Sequence, residues 1–175
     1  MGDVFKEQIV KRAPNTSDTL KKVGLVAAAV VLFLVITVIV SNITAIGTFA
    51  PFLYVAIIFG LYYVMSFFNV EYEYILTNDE LDIDIIYKRS RRKRVFSGSV
   101  KSFEVMAHVD DKVHAGDFNP SALTKDYSSG VTTGSTYAFL AAYQGKKLKV
   151  IIEPNDVLLA AMAKYLTPRK LFKRI

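Results

Sequence analysis

The densest chemistry in this 175-residue chain is the stretch YKRSRRKRVF, Tyr87 to Phe96. Lys88, Arg89, Arg91, Arg92, Lys93 and Arg94 put six cations in seven positions with no acid among them. A run of this kind attracts polyanions. Only Tyr87 and Phe96 flank it, so the interleaved aromatics that stack on nucleobases are missing, and anionic lipid headgroups are favoured over nucleic acid. The plain alternative is a signal for membrane orientation or a solvated loop. A second basic group, Arg169, Lys170, Lys173 and Arg174, is mixed with Leu171, Phe172 and Ile175 near the carboxyl end and adds a second contact of the same type.

His108, Asp110, Asp111, His114 and Asp117 fall within ten residues and raise the question of a metal. They lack helical i, i+4 spacing and any familiar ligand pattern, and solvated polar residues explain them equally well, so no metal is expected. The stretch YSSGVTTGS has no Gly-Lys-Ser/Thr ending for a phosphate loop, and no serine sits in a G-x-S-x-G elbow. The absence of cysteine removes disulfides, thiolate ligands and a thiol nucleophile. The residues therefore predict no cofactor and no enzyme. The alternative kept open is a membrane-bound enzyme whose site lies in the 109–134 loop, with His108 and His114 as acid and base.

Elements that position these residues come next. Apolar residues make up 52% of the chain and its mean hydropathy is +0.30, too apolar for an ordinary water-soluble domain. The excess lies in two runs free of formal charge, VGLVAAAVVLFLVITVIV (Val23 to Val40) and FAPFLYVAIIFGLYYVMSFF (Phe49 to Phe68). About 20 helical residues cross a bilayer core, so two transmembrane helices are predicted at 23–42 and 49–68, joined by a tight linker with Pro51 at the first turn of the second. A cleaved signal peptide is the rival for the first run, but its apolar core is long for one and a second span follows. The pairs Gly24/Ala28 and Ala56/Gly60 are expected to pack the hairpin on itself, ahead of serving as a dimer motif. Neither span contains an ionisable residue, which argues against a channel or transporter. Lys6, Lys11, Arg12, Lys21 and Lys22 precede the first span, the basic run follows the second, and the linker has no cation. Both termini are therefore expected in the cytoplasm of a protein of the cell membrane.

Residues 1–22 form a cytoplasmic N-terminal segment in this reading. Val4, Phe5, Gln8, Ile9 and Arg12 have helical spacing, which fits a short helix on the inner leaflet, or packing on the domain. After Asn69 the period changes to two. VEYEYILTN and LDIDIIYK predict a β-hairpin turning on Asn78, Asp79 and Glu80. Arg94 to Phe96 and Val100 to His108 read as further strands, and STYAFLAAY with KLKVIIE as a second hairpin through Gln144, Gly145 and Lys146. PNDVLLAAMAKYL predicts a helix capped by Asn155 or Asp156, with Val157, Leu158, Ala161, Met162 and Leu166 on its apolar face. The segment 109–134 is long for a loop in a compact domain, hence mobile or functional.

On these residues, YEYILTNDELDIDIIYKRSRRKRVFSGSVKSFEVM resembles the opening of bacterial pleckstrin-homology-like (PH-like) domains, and GKKLKVIIEPNDVLLAAMAKYL resembles their last hairpin and closing helix. The whole chain is similar to a family of small two-pass membrane proteins of Firmicutes. The resemblance implies an α+β fold: a two-helix transmembrane hairpin, then an antiparallel PH-like barrel or sandwich over 69–175, closed by a C-terminal helix and ending in the basic tail. It carries no ligand with it, because fold alone does not confer one. The first strand leaves the bilayer and its partner must return toward it, which brings the basic run near headgroup level. The expected function is a non-enzymatic module held at the cytoplasmic leaflet for contact with anionic lipid or an unidentified protein partner.

Overall fold

The N-terminal residues FKEQIVK form a strand, β1 (Phe5–Lys11), not the leaflet helix that their spacing also fits. Over seven residues the two periods are hard to tell apart. What decides is a partner: β1 pairs antiparallel with β2 (Val70–Thr77), from Phe5 opposite Thr77 to Lys11 opposite Glu71. Within the segment 1–22, residues 5–11 are therefore a strand of the sheet formed with β2. In the computed structural model, which describes residues 4–43, 47–88, 90–118, 122–166 and 171–172, the chain divides into two units, Pro14–Asn69 and Met1–Ala13 with Val70–Ile175. The helical hairpin is thus an insertion between two strands that are neighbours in one sheet.

That sheet continues through β3 (Glu80–Tyr87) and β4 (Arg91–Ser99), all antiparallel in the order β1-β2-β3-β4. Asn78 takes φ +55° in the first turn, a conformation asparagine tolerates, and β4 carries a bulge opposite Ile83 and Asp84. A second sheet holds β5 (Val105–His108), β6 (Leu123–Asp126), β7 (Tyr137–Tyr143), β8 (Lys146–Ile152) and β9 (Leu171–Phe172), in the order β6-β8-β7-β5-β9. The β7–β8 turn places Gln144 and Gly145 at φ +49° and +76°, where glycine is unstrained. Two corrections to the expected strands follow. β6 lies inside the supposed loop, and β6–β8 and β5–β9 are parallel. The strands make two sheets and not a closed barrel.

The core lies between the inward faces of the strands, with Tyr74, Leu76, Leu81, Ile83, Phe96, Phe103, Met106 and Phe139 fully or almost fully buried. Phe103 stacks on Phe139 at 4.1 Å and Phe96 meets Phe139 edge-on at 5.3 Å. Each such ring contributes about 1.5–3 kcal/mol by burial. Helix α3 (Asp156–Ala163) begins at Asn155, whose side chain accepts from Leu158 N at 2.8 Å. It buries Leu158, Leu159, Ala161 and Met162, whereas Val157, expected on that face, is 58% exposed.

In the other unit, α1 (Thr16–Asn42) and α2 (Ala50–Met65, continued by a 3-10 turn at Ser66–Phe68) are long and apolar enough to cross a membrane. They touch where Thr37 Oγ1 meets the Tyr54 hydroxyl at 3.1 Å and Phe33 meets the Tyr54 ring at 4.5 Å. The glycines are not used in that packing: a Cβ at Gly24 or Gly60 would have nothing within 4 Å.

Candidate functional site

The register places the basic run. Val70 lies opposite Tyr87 and Tyr87 opposite Arg91, while Lys11, Glu71, Ile86 and Arg92 form one row across all four strands. The end of β1, the start of β2 and the β3–β4 tip therefore share one end of the first sheet. It is the end at which the chain leaves the sheet for the helical hairpin and returns from it. At the tip Lys88 has φ +53° and Ser90 N donates to Tyr87 O at 3.1 Å.

The run is not one uniform patch of free charge. Within the chain order it has no acidic neighbour, yet the sheet supplies several. Glu71, Glu73, Asp82 and Asp84 alternate onto the face that also carries Arg92 and Arg94. Arg92 Nη2 bonds Glu73 Oε1 at 2.9 Å. Arg94 forks between two carboxylates, Nη1 to Asp82 Oδ2 at 2.7 Å and Nε to Asp84 Oδ1 at 2.9 Å. These two arginines are cross-strand ties. Arg91 and Lys93 are exposed and make no ion pair among the described residues, and Lys88 sits at the tip itself. Arg89 and the basic tail residues Arg169, Lys170, Lys173 and Arg174 lie outside the described residues.

Glu73 is the unusual member of the face. It is fully buried although its strand face is polar, and its pKa is raised, first by burial and then by contact with the Glu7 carboxyl of β1, with Arg92 opposing. Its Oε2 has no N–H or O–H donor among the described residues. Asp79, beside the same sheet, is shifted the other way by the Ser99 hydroxyl and by Lys101. Sequence reasoning missed these acids as partners. The available signal was the pairing of Glu71/Glu73 and Asp82/Asp84 with a basic strand next in the chain, a pattern that cross-strand charge pairs produce.

The histidines of the enzyme alternative do not assemble. His108 is buried, its Nε2 donating to Thr133 O at 2.9 Å and its Nδ1 accepting from Asp110 N at 3.2 Å, which uses both ring nitrogens on backbone. His114 Nδ1 pairs with Asp111 Oδ2 at 2.7 Å, and Asp111 is held below the usual carboxylate range by that contact. Among the described residues no three His, Asp or Glu side chains are gathered in a way that could hold a metal. The Ser/Thr stretch is an ordered clasp: Glu153 accepts from Thr133 Oγ1 at 2.7 Å and Ser129 N at 3.2 Å. Burial alone would raise the Glu153 pKa, but these hydrogen bonds outweigh it and lower it. The same clasp holds β1, since Ala13 N donates to Ser129 O at 2.7 Å.

The family model for the bacterial PH-like domain matches residues 2–173. Neither the curated proteins nor the solved structures offer a match.

Proposed function

We propose a function from one premise: this chain belongs to the bacterial PH-like domain family. It acts as a non-enzymatic interaction module anchored in the cell membrane by α1 and α2, with the basic β3–β4 tip against anionic headgroups of the cytoplasmic leaflet. The observation that carries this reading is the register, because the tip, Lys11 and Glu71 stand at the sheet end where the chain enters and leaves the apolar hairpin. The β1–β2 pairing adds a constraint. Two strands that pair with each other on either side of an insertion lie on the same side of a bilayer, so the insertion crosses it an even number of times. Two helices of spanning length meet that requirement, and the Lys/Arg asymmetry favours the cytoplasmic side. The resemblance of the whole chain to two-pass membrane proteins points the same way.

The lipid contact falls to Lys88, Arg91 and Lys93, with Arg89 beside them in the chain, while Arg92 and Arg94 act inside the sheet. Each cation near an anionic surface contributes on the order of 1 kcal/mol, within a Debye length of about 8 Å. A fluorophore on Ser90→Cys, in a chain with no native cysteine, tests this in nanodiscs. Headgroup-quencher lipid should quench it in discs containing phosphatidylserine, less so at high salt and less in an Arg91→Gln, Lys93→Gln variant. Equal quenching in discs of phosphatidylcholine alone, or none in either, would reject the contact.

A further inference from the structure

We infer that the free edge of β1, together with α3, takes an extended acidic segment of a partner protein as an added strand. This goes beyond the lipid contact and uses a different surface. Among the described residues β1 stands at the edge of its sheet. Asn78 N donates to Val4 O at 2.7 Å and Arg12 N to Val70 O at 3.1 Å. Antiparallel pairing alternates, so the even-numbered residues of β1 spend their backbone groups on β2. The N–H and C=O of Phe5, Glu7 and Ile9 then point away from the sheet. An edge of this kind is a template for another strand unless it is covered, shortened or interrupted by proline. β1 runs seven residues without proline, and Phe5 and Ile9 are 58% and 50% exposed.

Beside this edge a groove of about 400 Å³ separates Val4–Lys6 from α3, floored by Val157, Ala160 and Ala161. Val157, the exposed apolar residue of the helix, lines it. Among the described residues the charged side chains lining it are Lys6 and Lys164. Glu7, one residue on from Lys6, alternates to the opposite face, where it meets Glu73. The occupant is therefore asymmetric: carboxylates at every second position face the two lysines, and uncharged apolar residues between them face Phe5 and Ile9, where Glu7 repels acid. The strand is held ready for it, because the Gln8 carboxamide donates to Glu153 O and accepts from Asn155 N, both at 2.8 Å.

The test uses the full chain in phosphatidylcholine nanodiscs and a fluorescein-labelled octapeptide of alternating glutamate and valine. Saturable binding by fluorescence anisotropy is expected. It should weaken roughly tenfold in Lys6→Glu and again in Lys164→Glu, since each change replaces an attraction by a repulsion. A peptide N-methylated at alternate residues should not bind, and neither should a lysine–valine octapeptide. Circular dichroism of each variant guards against loss of fold, and Ile9→Pro, which removes an outward N–H at an edge position where proline is tolerated, should abolish binding with the fold retained. Absence of saturable binding, or binding that survives both lysine reversals or N-methylation, overturns the inference. Arg91→Gln with Lys93→Gln should leave peptide binding unchanged. Loss of peptide binding there would move the peptide to the tip and overturn the β1 site, whereas loss of headgroup quenching alone would count only against the lipid contact.

Discussion

The guanidinium of Arg92 on β4 reaches over β3 to lie 2.9 Å from Oε1 of the fully buried Glu73 on β2. With Arg94 it separates the cations that tie strands together from Arg91 and Lys93, which make no ion pair among the described residues. Arg92→Gln should lower stability by about 1–2 kcal/mol, less than for a wholly buried pair because the arginine side chain is 61% exposed. Arg91→Gln should change it by less than about 0.5 kcal/mol. Thermal unfolding in detergent measures both, and equal effects would remove the distinction.

Glu73 also makes stability depend on pH. Its folded-state pKa is raised by burial and by Glu7, so the unfolded chain releases this proton at lower pH than the folded one. The site contributes fully at acidic pH and the contribution is lost as pH rises through the folded-state pKa. Glu73→Gln should therefore match the parent near about pH 4 and exceed it near about pH 8. A difference that is constant across that range would refute the raised pKa of Glu73.

Opposite in sign are Asp79, Asp111 and Glu153, whose pKa values are lowered. Their stabilisation is present above the usual carboxylate range and lost as pH falls through the folded-state values. Glu153→Gln, at the clasp, should flatten the acid limb of the stability profile. An unchanged acid limb would mean that Ser129 and Thr133 do not hold the carboxylate as a charged group.

Tyr74 joins the two sheets through its hydroxyl, which donates to Tyr127 O and accepts from Glu153 N. Tyr74→Phe keeps the ring and leaves both backbone groups without that partner, at a cost of about 1–3 kcal/mol. A melting temperature equal to the parent's would show that water replaces the hydroxyl.

Because β1 belongs to the sheet, the fragment Asn69–Ile175 should unfold without a cooperative transition or at a much lower temperature than the parent. Joining residues 1–13 to 70–175 through a short Gly/Ser turn should restore the transition, since Lys11 and Glu71 are direct partners and little chain is needed between them. Equal stability of the two fragments would make β1 dispensable.

The two apolar runs, the β2–β3 and β7–β8 hairpins and the Asn155 cap could all be read from the chain, because hydrophobic length, period-two alternation, turn residues and capping are properties of a few consecutive residues. The alternation even marked Glu71, Glu73, Asp82 and Asp84 as sharing faces of their strands. It could not say which cations stand across from them, because that depends on the order and register of four strands. Nor could seven residues of ambiguous period reveal that FKEQIVK is a strand, when its hydrogen-bonding partner lies beyond the whole helical hairpin. The closing cost of a long insertion grows only slowly with its length, so nothing local records which distant strand β1 will join. Tertiary pairing decided that, and with it which cations are tied to carboxylates inside the sheet.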